Sequence, residues 1–142
     1  PITREEIIAQ LEGQGERVFD TRLIVVLRET NRAIGECKLG WPNQESVSST
    51  DVKLLPQYWG NRYGVEIKRA LVDYLFTHTS CTVVEATPNV ENIASIKMQE
   101  AVGGVRIGQD TFQVPETMHN HMVPVHHYIY RVFREDWMSG KV

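Results

Sequence analysis

The stretch Leu54-Leu55-Pro56-Gln57-Tyr58-Trp59-Gly60-Asn61-Arg62-Tyr63-Gly64 has the residue types and order that suit anion chemistry. An apolar, strand-like run ends at Pro56, a loop with two glycines follows, and a helical pattern begins near Gly64. The first N–H groups of a helix have no intrahelical partner, and the helix dipole puts partial positive charge at the same place, so a phosphate is held well there. Gly60 and Gly64 carry no side chain to keep a bulky anion off the backbone. The plainer alternative is a strand-to-helix turn with glycines for tight geometry, and this stretch alone does not choose between the two. A second group, His119, His121, His126 and His127, suggests a metal site, but no cysteine or carboxylate set completes it. A polar or substrate-facing loop is the better reading.

The elements that must position this loop can be read from periodicity. Residues 1 to 12 suit a short helix, with Thr3 and Glu6 as a capping box and Ile7, Ile8 and Leu11 on one face. Arg22 to Arg28 and Ala33 to Leu39 are β-branched or apolar runs around Thr30-Asn31-Arg32, which predicts an antiparallel hairpin. A third strand is expected from about Ser46 to Leu55. In the following helix Ile67, Ala70, Leu71, Tyr74 and Leu75 share one face, while Lys68, Arg69 and Asp73 are expected to point away. Thr82 to Thr87 suits a buried strand. A helix from about Asn92, with Ala94, Met98, Ala101 and Val102 on one side, should stop at Gly103-Gly104. Strands are expected over 105–114 and Val125 to Phe133, separated by a polar loop over 115–124. A mixed sheet with helices on its faces is the economical architecture.

The totals bound the function. A chain of 142 residues without linkers or repeats is expected to form one domain, 1–142. A net charge of -3 argues against nucleic acid or a membrane surface as partner, since both need a basic face. No apolar run approaches the roughly 20 residues that span a bilayer, and Glu5 and Glu6 stand where a leader's apolar region would begin. Cys37 and Cys81 read as buried free thiols in a reducing compartment, so a cytoplasmic protein is expected.

Three motifs together resemble the GCN5-related N-acetyltransferase (GNAT) superfamily, in particular its ribosomal-protein N-terminal acetyltransferase branch. Pro56-Gln57-Tyr58-Trp59-Gly60-Asn61-Arg62-Tyr63-Gly64-Val65-Glu66 resembles that branch's Pro-x-Tyr-Trp-Gly-x-Gly-Tyr-Ala/Gly-x-Glu pattern. Asn92-Ile93-Ala94-Ser95, with Gly103 closing the helix, resembles its Asn-x-x-Ser helix, and His127-Tyr128-Ile129-Tyr130-Arg131 through Trp137 resembles its last strand. The resemblance implies an α/β (α+β) fold with a mixed, mostly antiparallel sheet flanked by helices. The fold's usual first strand and helix have no counterpart in this sequence. A sheet edge left exposed by that would favour a homodimer.

The resemblance further implies an acetyl-CoA-dependent enzyme that acetylates a primary amine, either a protein N-terminus or a small molecule, by direct attack in a ternary complex. The pyrophosphate would sit on Trp59, Gly60, Asn61, Arg62, Tyr63 and Gly64. The pantetheine arm would pair like a short strand with Val52 and Leu54, and Asn92 would meet its amides. Ser95 would protonate the leaving thiolate. Arg62 departs from the family's glycine: its side chain would either crowd the phosphates or, the favoured reading, grip them with its guanidinium. Gln99 stands where many members carry tyrosine. The family's glutamate base falls near Ser48 or Ser49, leaving Asp51 as the nearest carboxylate on that strand. These departures also fit an alternative, a catalytically degenerate acyl-CoA-binding or regulatory module, and a scaffold domain without cofactor is the third reading.

Overall fold

The computed structural model of the chain describes residues 18–112 and 125–140. Its elements are β1 (Leu23–Leu27), β2 (Arg32–Leu39), β3 (Val47–Leu54), α1 (Tyr63–His78), β4 (Val83–Ala86), α2 (Ile93–Ala101), β5 (Val105–Phe112), β6 (Val125–Phe133) and α3 (Arg134–Met138). A 3-10 turn at Pro56–Tyr58 links β3 to α1. The helix expected over 1–12 and the loop expected over 115–124 lie outside the described residues. Within them, the expected strands and the two long helices form within a residue or two of their expected bounds. The short α3 is an addition that the last-strand pattern does not announce.

The strands lie in the order β1-β2-β3-β4-β6-β5. Only the β3–β4 pair is parallel among them. That is the pair that α1 connects, because a parallel neighbour cannot be reached by a tight hairpin. The β1–β2 hairpin turns at Asn31, which has φ 56 and whose N–H donates to the Leu27 carbonyl at 2.8 Å. A bulge skips Ile34 in the pairing with β1, so the inward alternation changes phase and Ile34, Cys37 and Leu39 all face the core.

α1 organises that core. Ile67, Ala70, Leu71, Tyr74 and Leu75 are buried as their spacing predicts. Val72, Phe76 and Lys68 are buried as well. The expectation that Lys68 points to solvent is therefore wrong: it is 1% exposed. α1 packs against both β3 and α2, so its covered arc is wider than the single stripe that one-sided amphipathicity describes. Arg69 does face solvent, donating to the Ala101 carbonyl at 3.0 Å. Asp73 is half-buried and accepts from Trp137 Nε1 at 3.1 Å, which ties α3 to α1.

α2 ends as its two glycines predict. Gly103 has φ 88, and the Gly104 N–H reaches back to the Gln99 carbonyl at 2.8 Å, closing a Schellman turn. Its buried face differs from the expected one. Ile96, Gln99 and Val102 are buried, Met98 is half-buried, and Ala94 and Ala101 are exposed. In a helix of nine residues with scattered apolar positions, contact with α1 chooses the face.

Candidate active site

The site begins where β3 divides its pairing. Val47–Ser49 pair with Val83–Glu85 of β4, whereas Thr50–Leu54 pair with β2. Beyond Ser49 the two parallel strands separate, and a cavity of about 230 Å³ opens between them. The strand's alternation sets what faces that gap. The carbonyl of Ser49 and the N–H of Leu55 bond on the β2 side, so the backbone groups of Thr50, Val52 and Leu54 point toward the β4 side. The Leu54 carbonyl is already taken by the Trp59 indole N–H at 2.9 Å. Val52 thus presents a free strand edge into the splay.

At the far end of β3, the loop and α1 present a row of free amides. The first helical bond there runs from the Glu66 N–H to the Arg62 carbonyl at 3.2 Å, and the N–H groups of residues 60–65 donate to no group among the described residues. Gly60 has φ 85, and a Cβ built on it would meet nothing within 4 Å, so its backbone stands open. Gly64 has a different reason to be glycine. Its Cβ would lie 3.1 Å from Met98 Sδ, so a bare backbone lets α1 pack closely on α2. Arg62, at the N-cap of α1, has φ 63 and ψ 16, the left-handed conformation that glycine adopts at low cost. The arginine stands at a glycine-like backbone position, exposed, with its guanidinium free of any ion pair among the described residues. Asn61 is also exposed, and its Nδ2 donates to the Tyr58 carbonyl at 3.3 Å.

α2 supplies the opposite wall. Ser95, Met98 and Gln99 line the cavity together with Asp51 and Val52 from β3. Asn92 does not line it. It caps α2, with Oδ1 accepting the Ser95 N–H at 3.1 Å, the role its N-cap position favours. Ser95 therefore uses its backbone in the cap, and its hydroxyl makes no hydrogen bond to the described residues. Asp51 reaches the cavity from the exposed side of β3, with Lys53 Nζ at 3.8 Å. At the positions where the family's glutamate falls, Ser48 is buried with an unpartnered Oγ and Ser49 is exposed.

The residue that the sequence reading missed is Lys68. It enters the cavity from α1, and its Nζ donates to Thr50 Oγ1. Removal from water pushes its pKa down from 10.5 to about 7, against a smaller upward pull from Asp51. Its signal lay in the spacing: Lys68 directly follows buried Ile67 and stands four residues before buried Val72. Cys37 is no competing nucleophile, since burial, and then Asp51 and Glu36, hold its thiol up at about 11.

Of the four histidines, His126 and His127 lie on β6. His119 and His121 lie outside the described residues. His127 fixes the segment after β4, with Nδ1 2.9 Å from the Thr87 carbonyl and its backbone bridged to Asn89. Thr87 and Pro88 line the cavity, so His127 braces its wall. Glu85 is structural, accepting from Arg131 at 2.8 Å.

Comparison with known proteins identifies a family for the chain. A profile described as an acetyltransferase (GNAT) domain matches residues 1–105. The uncharacterized N-acetyltransferase p20 of Bacillus licheniformis is 32% identical over 89 residues, which cover 62% of this chain and 47% of that protein. The chain thus spans about half the length of the curated relative it matches. A ribosomal-protein-S5-alanine acetyltransferase from Vibrio fischeri superposes with a TM-score of 0.73 at 16% identity, over 94% of this chain and 71% of that one. The aminoglycoside acetyltransferase AAC(6')-Ib, solved with coenzyme A and kanamycin, gives 0.67 at 20% identity, over 86% and 71%. At these identities the structural likeness is one of fold.

Proposed function

Because this chain belongs to the GNAT acetyltransferase family, we propose that it transfers an acetyl group from acetyl-CoA to a primary amine, by direct attack within a ternary complex. The observation that carries this reading is the β3–β4 splay, an open strand edge that leads from the free amides of α1 to a cavity holding Ser95 and Asp51. Acetyl-CoA, as cosubstrate, supplies an activated thioester. The residues present fit it: a diphosphate needs N–H donors and room, and residues 60–65 offer free N–H groups beside an open Gly60.

In this reading the amides from Gly60 to Gly64 hold the diphosphate, with Tyr63 in the first turn of α1 and the Arg62 guanidinium added as a donor; Trp59, expected among them, is not, because its N–H is taken by the Pro56 carbonyl at 3.1 Å. Val52 pairs with the pantetheine amides. Leu54 contributes its N–H only, since its carbonyl is engaged by Trp59. Asn92 holds the start of α2 in place, so that the Ser95 hydroxyl faces the cavity and protonates the departing thiolate. Asp51, at the exposed side, takes the proton that the amine must lose, directly or through water. Holding the two substrates together supplies a large part of the rate.

The test pairs binding with turnover. Acetyl-CoA should raise the melting temperature, and a thiol-release assay over a broad panel of primary amines should give CoA in stoichiometric amount with acetylated product. Binding without turnover for any amine would convert the reading to a non-catalytic acyl-CoA-binding module. An unmoved melting temperature at concentrations well above micromolar would end both.

A further inference from the structure

Among the described residues, the buried polar ones are Ser48, Gln99 and Lys68, and of these only Lys68 brings an amine into the interior. Its side chain is 1% exposed, its hydrogen-bonding partner is a neutral hydroxyl, and it opens onto the cavity that the proposed function gives to the acyl end of acetyl-CoA. A buried lysine is normally paired with a carboxylate that compensates its charge. Here Asp51 acts on it at a distance, and among the described residues the other groups facing it across the cavity carry no charge. Those are Ser95, Met98 and Gln99 on α2, Ala86 at the end of β4, and Thr87 and Pro88 after it. Burial without compensation favours the neutral amine and brings its pKa down to about 7. A neutral amine held in one cavity with a thioester is a nucleophile at high effective concentration.

We propose that Lys68 is a self-acetylation site: with acetyl-CoA bound and no acceptor amine present, Nζ of Lys68 takes the acetyl group. The inference rests on the acetyl-CoA reading given above. In the step, the Nζ lone pair forms a bond to the thioester carbonyl carbon and the C–S bond breaks. One proton leaves nitrogen for the thiolate, with Ser95 or Thr50 as carrier. The products are N-acetylated Lys68 and CoA as free thiol, so no further reactant is needed. The amide formed is far less reactive than a thioester, so the modified site stays acetylated and its cavity is partly filled. An acceptor amine competes for the same acetyl group and protects the protein.

The experiment incubates the full chain with acetyl-CoA, without amine, and locates added acetyl groups by peptide mass mapping, alongside the melting temperature. The expected result is one acetyl group on Lys68, at a rate that saturates with acetyl-CoA and falls when excess CoA competes. The rate should rise roughly tenfold between about pH 6 and about pH 8 as the amine loses its proton, then level off. Stabilisation by acetyl-CoA with Lys68 unmodified would overturn the inference and leave the cofactor reading intact. So would equal, non-saturating modification of exposed Lys53 and Lys97, which is solution chemistry. An unmoved melting temperature together with no modification would overturn the cofactor reading, and this inference with it.

Discussion

Replacing Lys68 by methionine, which has similar length and no charge, should stabilise the protein in a pH-dependent way. Burial lowers the pKa from 10.5 to about 7. At about 1.4 kcal/mol per pH unit, the native state at pH 7 is about 4 kcal/mol less stable than it would be with a neutral side chain there. The sign follows from proton binding. Between about pH 7 and 10.5 the unfolded chain holds the proton and the folded chain does not, so wild-type stability climbs with pH. Below about 7 both hold it and the penalty is constant. The methionine variant loses the bond to Thr50, worth about 1 kcal/mol. It should therefore exceed wild type by about 3 kcal/mol at pH 7 and by only about 1 kcal/mol at pH 9. Urea unfolding of both proteins at the two pH values measures this, and subtracting the curves cancels every other titrating group. Parallel stability curves, or a methionine variant weaker than wild type by the same amount at each pH, would show that Lys68 is not a desolvated amine.

Three further outcomes are expected. Gly60→Leu places a side chain where the backbone stands open and where φ is 85; it should cost about 1–2 kcal/mol in strain and abolish stabilisation by CoA in a thermal-shift assay, whereas undiminished CoA stabilisation would remove the loop from the site. Arg62→Gly should have opposite effects on two measurements. Relief of the left-handed arginine raises stability by up to about 1 kcal/mol, while calorimetry shows acetyl-CoA affinity lowered roughly tenfold as a charged donor is lost; unchanged affinity would mean the guanidinium never meets phosphate. Ser95→Ala leaves the helix cap intact, because Asn92 bonds the Ser95 amide and not its hydroxyl. Turnover should fall roughly a hundredfold or more at unchanged affinity, and an unaltered rate would take Ser95 out of the mechanism.

Much of this molecule could be read from its residues in order. The β1–β2 hairpin, the Pro56 break, the glycine-bearing loop, the stripe on α1 and the Gly103-Gly104 stop are all local. Periodicity, proline and positive-φ glycine act within a few residues of themselves, and each formed where its pattern placed it. The family motif also carried information that propensity lacks, since it marked Ser95 and the loop before any geometry was known. Only the tertiary structure decided which faces are covered and where the strands part. Lys68 reads as a solvated charge until α1 is seen packed against both β3 and α2, because a helix pattern shows which residues share a side but not how many sides are enclosed. The bare backbone of Gly64 reads as room for phosphate alone until Met98, more than thirty positions away in the chain, is found against it. The cavity itself exists because β3 pairs with β4 only over Val47–Ser49 and with β2 over Thr50–Leu54, and that division belongs to the register between distant strands.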